Sequence, residues 1–324
     1  MLIAPATSFL LTVALLAVLL RWPHHLPLDR PNQRSLHSGV VPRAGGLALV
    51  PAVLVGWLWA PPYHWLAAMS VVVLGAASYL DDRRGLPVGL RLGLHLAAAI
   101  VFAAGMLNEV PLLLLIATVL IITWSINLYN FMDGADGLAG GMALFGFSAY
   151  SLLAWQQGAA EFAVLNLCIA AAALGFLIFN FPPAKVFLGD AGSVPLGFLA
   201  AMFGIVGMAK SLWPWWFPLL VFSPFVVDAT ITLARRALRR ERVWEAHREH
   251  FYQRLVRAGW SHRRTAFAEY VLMAAAGASA VWAVSADPSA RVGVIAAWVI
   301  AYGTLMHLVD GYWRSFSDQE KAST

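Results

Sequence analysis

The segment 127–141 holds the residues with the most evident chemistry. It reads NLYNFMDGADGLAGG and lies between two long apolar runs. Asp133 and Asp136 are three residues apart, and Asn127 and Asn130 precede them. An ionised carboxylate at the edge of a bilayer is costly unless an opposite charge balances it. The segment therefore predicts a site for a cation, for a phosphate-bearing ligand, or for both.

Further carboxylates stand at the ends of other apolar runs, namely Asp81, Asp82, Asp190 and Asp228. Any one of them alone could equally be a solvated charge at a helix end. Several like charges gathered at one membrane face, however, need a cation or raised pKa values. We expect Mg²⁺, with Mn²⁺ as a substitute, because it binds oxygen ligands and completes its shell with water or substrate phosphates.

Basic side chains accompany these acids. They are Arg43, Arg91, Lys185, His247, His250 and Arg254. The last three follow an i, i+3, i+7 spacing, which would let one helical face present all of them to an anion. A zinc site built from the histidines is the competing interpretation, and the absence of a nearby cysteine disfavours it.

Glycine-rich turns precede two of the apolar runs, at 134–141 and at 187–193. Small residues there would let backbone N–H groups approach a phosphate at a helix N-terminus. Glycines in such positions also serve close helix packing, so both interpretations stay open.

The elements that position these residues are membrane-spanning helices. Hydrophobic residues make up 60% of the chain and charged residues 12%, against about 25% charged in soluble proteins. We predict an all-α polytopic bundle of about eleven spans in one membrane-embedded domain, 1–324. The spans lie near 2–20, 44–60, 64–80, 91–107, 111–128, 138–155, 162–180, 192–209, 215–233, 266–285 and 292–310.

The distribution of Lys and Arg predicts the orientation. With a periplasmic N-terminus and a cytoplasmic C-terminus, the loops 21–43, 81–91, 129–137, 181–191 and 234–265 face the cytoplasm. Of the 22 Lys and Arg residues, all but Lys210 and Arg291 then lie inside, as the positive-inside rule favours. The net charge of +5 fits contact with anionic inner-membrane lipids rather than with nucleic acid.

Taken together, the motifs resemble those of the polyprenyl-phosphate N-acetylhexosamine-1-phosphate transferase family, the MraY/WecA superfamily or glycosyltransferase family 4. The matching segments run in order along nearly the whole chain. They are SLH at 35–37, PRAGG at 42–46, Asp81-Asp82, the segment 127–141, NFPPAKVFLGDAGS at 180–193 and the region of His250.

The resemblance implies a bacterial inner-membrane enzyme with its active site on the cytoplasmic face. It would transfer an N-acetylhexosamine 1-phosphate from a UDP-sugar to undecaprenyl phosphate, with Mg²⁺ present and UMP released. The reaction would initiate O-antigen or another surface glycan, and family analogy favours a homodimer.

Residue roles follow from the same resemblance. Asp190 is expected to bind Mg²⁺ directly, with Asp133 as a second ligand. Asp81 and Asp82 are expected near the lipid phosphate, one of them as its general base, and His250 is expected to contact phosphates. The remaining substrate contacts are expected from Asn127, Asn130, Asp133, Asp136, Lys185, Arg43, Arg91, His247 and Arg254.

The chain also departs from the family pattern. It reads HFYQRL at 250–255, where WecA-like enzymes have His-x-His-His-Arg-Leu and MraY enzymes have three consecutive histidines. This difference favours the WbpL-type branch, which uses UDP-GlcNAc or UDP-linked 6-deoxy-N-acetylhexosamines, over an MraY-type phospho-MurNAc-pentapeptide transferase. A membrane transporter with buried carboxylates is the alternative from another class, and it is disfavoured because these acids stand at helix ends rather than at mid-membrane.

Overall fold

The protein is built almost entirely from α-helices. The computed structural model describes residues 2–31, 36, 39–60, 65–106, 110–243, 245 and 247–323, the last four by their backbone alone. Within these ranges the helices are α1 Ile3–Leu19, α2 Gly45–Trp57, α3 Trp65–Arg84, α4 Val88–Met106, α5 Leu112–Phe131, α6 Leu138–Gln156, α7 Ala160–Asn180, α8 Asp190–Ala209, α9 Trp216–Val221, α10 Ser223–Leu238, α11 Phe251–Arg257, α12 His262–Ser285 and α13 Pro288–Ser323. Two short antiparallel strands, β1 Leu28–Asp29 and β2 Val41–Pro42, join them.

The helices confirm the predicted polytopic architecture. In the described part of the chain, eight are long and apolar enough to cross a membrane, α3 to α8, α12 and α13, while α1 and α2 are apolar but shorter. The predicted span near 215–233 is divided between α9 and α10. Pro224 is the second residue of α10. A proline lacks the backbone N–H and its ring crowds the preceding turn, so it favours a break between the two helices at this point.

Helix α8 lies at the centre of the bundle, and α6 and α7 are also mostly buried. A helix that is apolar on every side belongs in such a position. The first turn of α8 touches α2 directly. A Cβ added to Gly46 of α2 would overlap the backbone of Ala191 and Gly192. This close crossing brings Arg43, just before α2, to Asp190 at the start of α8.

Backbone hydrogen bonds connect the segments that precede α2 and α8. The Phe187 N–H donates to the Pro42 carbonyl at 2.9 Å, and the Gly45 N–H donates to the Phe187 carbonyl at 2.9 Å. Gly189 follows with φ +70° and sits against Asp82, whose Oδ2 would lie 3.0 Å from an added Cβ. A left-handed backbone beside a carboxylate requires glycine at this position.

Asp228 holds α11 against α10. Its Oδ1 accepts from the Phe251 N–H at 3.1 Å, from His250 Nδ1 at 3.0 Å and from the Thr232 hydroxyl at 3.1 Å, while its Oδ2 accepts from the Tyr252 N–H at 3.2 Å. A carboxylate at a helix N-terminus satisfies N–H groups that have no partner within the helix.

Two expectations for this region are therefore wrong in geometry. Asp228 does not join the other acids, because its oxygens are taken up by α11. The helical face of His247, His250 and Arg254 does not form, because α11 begins at Phe251 and His250 is only its N-cap residue.

We predict that Asp228→Ala lowers the free energy of unfolding by about 3 kcal/mol, because it leaves several buried donors without an acceptor. Thr232→Val, which removes a single hydrogen bond to the same carboxylate, should cost about 1 kcal/mol. Thermal unfolding of the two purified variants in detergent would compare them. Equal midpoints would show that Asp228 does not anchor α11.

Candidate active site

An acidic cavity of about 480 Å³ lies where the ends of α3, α5 and α8 meet the connecting loops. This volume is within the usual range for small-molecule sites, about 300–1,000 Å³. Its carboxylates are Asp29, Asp81, Asp82, Asp133, Asp136 and Asp190, and its basic side chains are Arg43, Arg91 and His262. The structure thus brings five of the acids predicted from sequence together and adds Asp29.

Arg43 bridges two of these acids. Its Nη1 lies 3.1 Å from Asp82 Oδ1 and its Nη2 lies 3.1 Å from Asp29 Oδ1. Burial alone would lower the pKa of Arg43, but the charges of Asp29 and Asp82 outweigh burial and raise it. The guanidinium therefore keeps its charge. Asp82, whose Oδ2 also accepts from the Ala191 N–H at 3.4 Å, is held in one orientation.

Arg91 connects the end of α3 with the start of α8. Its Nη1 donates to Asp81 Oδ2 at 3.0 Å and lies 3.8 Å from Asp190 Oδ2. Asp81 Oδ1 accepts in addition from the Leu86 N–H, in the turn between α3 and α4. The ion pair of Arg91 with Asp190 is thus longer and weaker than its ion pair with Asp81.

Asp133 makes no ion pair with any side chain that the structure describes. Burial, and next the negative charge of Asp190, raise the pKa of Asp133 well above its ordinary value. A half-buried carboxylate beside a like charge favours a bound proton or a bound cation.

The oxygens of Asp133 and Asp190 suit Mg²⁺ as a partial site. Among the described residues, no group of three or more His, Cys, Asp or Glu side chains forms a complete metal site. Mg²⁺ commonly takes only one or two protein carboxylates and fills its octahedral shell with water and substrate phosphates. The donor set therefore fits the ion, provided that a phosphate ligand shares it.

Asp136 braces the rim of the cavity. Its Oδ2 accepts from the Ala184 N–H at 3.0 Å, and its Oδ1 lies 3.3 Å from His262 Nδ1. The other ring nitrogen of His262 lies 3.0 Å from the Leu36 carbonyl. Asp136 and His262 thus join three loops around the opening.

Asn180, the last residue of α7, clamps the two glycine-rich turns together. Its Oδ1 accepts from the Gly137 N–H at 2.9 Å, and its Nδ2 donates to the Val186 carbonyl at 2.8 Å. Across the cavity, Asn130 Oδ1 accepts from the Ser193 hydroxyl at 2.7 Å. Asn130 thus ties the end of α5 to the start of α8.

The N–H groups of Ala191, Gly192 and Ser193, in the first turn of α8, are already paired. Those of Gly192 and Ser193 donate to the Gly189 carbonyl at 2.9 and 3.0 Å, and that of Ala191 donates to Asp82. Of the two interpretations of this turn, helix packing is the one that the structure shows, and a phosphate cradle made of backbone N–H groups is not.

Several predicted contacts lie outside the acidic cavity. Lys185 is exposed, and Arg254 pairs with Asp310 on α13 at 2.8 Å. His250 is directed to Asp228 and packs beside Phe131. These side chains have partners or solvent elsewhere, so the structure does not bring them to the acids.

His247 is half-buried and does not line the acidic cavity. Burial, followed by the charges of His250 and Arg236, lowers the pKa of His247 to about 4. His247 is therefore neutral at pH 7 and offers no positive charge to a phosphate. In the 35–37 motif, residues 35 and 37 lie outside the described residues.

A second cavity, an apolar groove of about 680 Å³, adjoins the acidic cavity. It runs between α3, α4, α5 and α10, and Asn127 lies along it, with its Nδ2 donating to the Thr123 carbonyl at 2.7 Å. Four residues line both cavities, namely Asp81, Arg91, Asn130 and Asp190. An apolar channel at membrane depth thus ends at a cluster of charges.

Comparisons with known proteins agree with this arrangement. Residues 64–208 match glycosyl transferase family 4. The chain is 31% identical over 267 residues to a probable undecaprenyl-phosphate N-acetylglucosaminyl 1-phosphate transferase of Bacillus subtilis, covering 76% of this chain and 74% of that protein. It is 30% identical over 305 residues to a phospho-N-acetylmuramoyl-pentapeptide-transferase of Geobacillus kaustophilus, covering 81% and 91%. The resemblance read from the motifs is confirmed, and the chain belongs to glycosyl transferase family 4, the MraY/WecA superfamily.

Proposed function

We propose that the protein transfers an N-acetylhexosamine 1-phosphate from a UDP-sugar to undecaprenyl phosphate and releases UMP, initiating O-antigen or another surface glycan. The observation that carries the proposal is the junction of the acidic cavity with the apolar groove. The UDP-sugar is a soluble dianion, and the acidic cavity suits it once a cation is bound. Undecaprenyl phosphate is a long hydrocarbon with a terminal phosphate, and the apolar groove suits its chain. The basic loops favour the cytoplasmic face of the inner membrane for this junction.

The charge balance of the cavity supports a divalent cation. Within the described part of the chain, six carboxylates of this cavity face two arginines and His262, yet both proposed substrates are anions. Asp190 and Asp133 would hold Mg²⁺ together with the phosphates of the UDP-sugar. When bound, the ion would supply neutralisation of the charge that develops on the leaving UMP.

The position of Asp81 favours it over Asp82 as the neighbour of the lipid phosphate. Asp81 lines both cavities, whereas Asp82 lines only the acidic one and is held by Arg43. A lipid phosphate oxygen would attack the sugar-bearing phosphorus. A new P–O–P bond would form, the bond to the UMP phosphate would break, and Arg91 would offset the charge of the incoming phosphate.

The identity of the sugar is the point on which the relatives differ. The names of the two relatives specify N-acetylglucosaminyl 1-phosphate and phospho-N-acetylmuramoyl-pentapeptide. The HFYQRL sequence at 250–255 favours the first class, including 6-deoxy-N-acetylhexosamines. UDP-MurNAc-pentapeptide is the donor of the second candidate function.

We predict that the purified protein, given undecaprenyl phosphate and Mg²⁺, converts at least one UDP-N-acetylhexosamine in a panel to a lipid-linked diphosphate sugar and UMP. Mass spectrometry of the lipid product identifies the sugar. Asp190→Asn should reduce the rate roughly 100-fold or more, since it removes a charge that acts on the reacting phosphates.

Asp287→Asn is the matched control for that substitution. Asp287 is a fully exposed carboxylate before α13 whose Oδ1 accepts from the Ser289 and Ala290 N–H groups, and the amide oxygen preserves this cap. The control should keep wild-type turnover. Full activity of a folded Asp190→Asn protein, or no lipid product from any donor, would contradict the proposal.

We further predict that the Mg²⁺ concentration for half-maximal activity increases as the pH decreases. Burial and Asp190 raise the pKa of Asp133, so protons compete with the metal for this carboxylate, and more of it is protonated at lower pH. Activity titrations with Mg²⁺ in mildly acidic and mildly alkaline buffers would measure the shift.

Asp133→Asn provides the comparison, because its amide has no proton that competes with Mg²⁺. The variant should need more Mg²⁺ than the wild type, with a weaker dependence on pH. If wild type and variant showed the same pH dependence, Asp133 would not be a ligand.

A further inference from the structure

Two buried polar atoms in the apolar groove have no hydrogen-bond partner among the described residues. They are His95 Nδ1 and Thr123 Oγ1. His95 is 7% exposed and Thr123 is 8% exposed, and both line the groove. Buried polar atoms are nearly always satisfied, so these two atoms need a partner that the described residues do not supply.

These two atoms lie near the charged end of the groove, where Arg91 is located. His95 follows Arg91 by four residues on α4, so the two share a helix face and His95 lies about 6 Å further into the membrane. Thr123 precedes Asn127 by four residues on α5, and both residues line the same groove as His95. The polar side chains of His95 and Thr123 thus lie in the groove about one helical turn from Arg91, on the side away from the acidic cavity.

Arg91 has limited capacity for a phosphate headgroup by itself. Its Nη1 already donates to Asp81 at 3.0 Å and lies near Asp190. A phosphate monoester in this position brings more acceptor oxygens than that guanidinium can satisfy, and the carboxylates beside it repel the headgroup. A neutral donor further along the groove would give the phosphate a hydrogen bond that does not depend on Arg91, which the carboxylates of Asp81 and Asp190 already engage.

We propose that His95 is a positioning residue for the lipid acceptor, with the Nδ1 proton donated to an oxygen of its phosphate from the membrane side and Thr123 as a second donor. The inference rests on the proposed function, because it assumes a polyprenyl phosphate in the groove. A bare isoprenoid chain has no oxygen with which to satisfy these atoms, so the recognised chemistry is the phosphate at the end of the chain.

The test separates the two substrates kinetically. His95→Leu should raise the KM for undecaprenyl phosphate about 10-fold while the KM for the UDP-sugar changes less than about 2-fold. His95→Gln, which keeps an N–H donor, should restore most of the loss. An equal rise in both KM values, or a loss in kcat alone, would overturn the assignment.

Thr123→Val is nearly isosteric and keeps the test decisive if His95→Leu does not fold. It should raise the lipid KM by a smaller factor, about 5-fold, since a neutral hydrogen bond contributes about 1 kcal/mol. Thr118→Val is the matched control, because Thr118 is buried on the same helix but does not line the groove. Identical lipid KM values for the two valine variants would count against the proposal.

Direct binding of lipids distinguishes failure of this inference from failure of the proposed function. Wild-type protein in detergent should bind undecaprenyl phosphate more tightly than undecaprenol, and His95→Leu should reduce that preference about 10-fold. If wild type shows the preference and the variant retains it, His95 has no role although the proposed function stands. If wild type shows no preference and no transfer, the proposed function itself fails.

Discussion

Repulsion among carboxylates in a confined space is the interaction on which the rest of the site depends. Asp81, Asp82, Asp133 and Asp190 line one cavity at the ends of α3, α5 and α8. Among the residues that the structure describes, two arginines and His262 balance them together with Asp29 and Asp136. Each arginine is shared by two acids. Protons or a cation must balance the remaining negative charge. The pKa of Asp133 is raised by burial and by the nearby charge of Asp190, which agrees with this requirement. A site of this kind would suit the metal that we propose to bind together with the anionic substrate.

The scaffold holds the acids in place through backbone contacts. Gly46 lets α2 approach the first turn of α8, and Gly189 lets the preceding turn lie against Asp82. Asn180 and Asp136 then bind the neighbouring loops to each other. These contacts are made by backbone groups and short polar side chains, which have little freedom to move. The segments that carry the acids therefore stay close together despite the repulsion between the carboxylates.

The sequence predicted the features that depend on hydrophobicity and on local motif. The apolar runs located the helices, and the acids at their ends were expected to meet because the Lys and Arg pattern put them on one face. The break between α9 and α10 was not predicted, although Pro224 in the first turn of α10 favours it.

Contacts between distant segments could not be predicted in the same way. Asp29 reaches the cavity only because β1 and β2 fold back beside Arg43, and His262 does so because α12 begins at the rim. The expected helical face at His247, His250 and Arg254 failed for a similar reason. Periodicity alone cannot show that Asp228, on another helix, fixes the start of α11 at Phe251.

The central claim is that Asp190 and Asp133 share one divalent ion with the diphosphate of the donor. Mn²⁺ binding to the purified protein, followed by electron paramagnetic resonance in the presence of UDP, measures this most directly. The account predicts a single UDP-dependent Mn²⁺ site in the wild type, weakened about 10-fold or more in both Asp190→Asn and Asp133→Asn. Unchanged Mn²⁺ affinity in the two variants would contradict it.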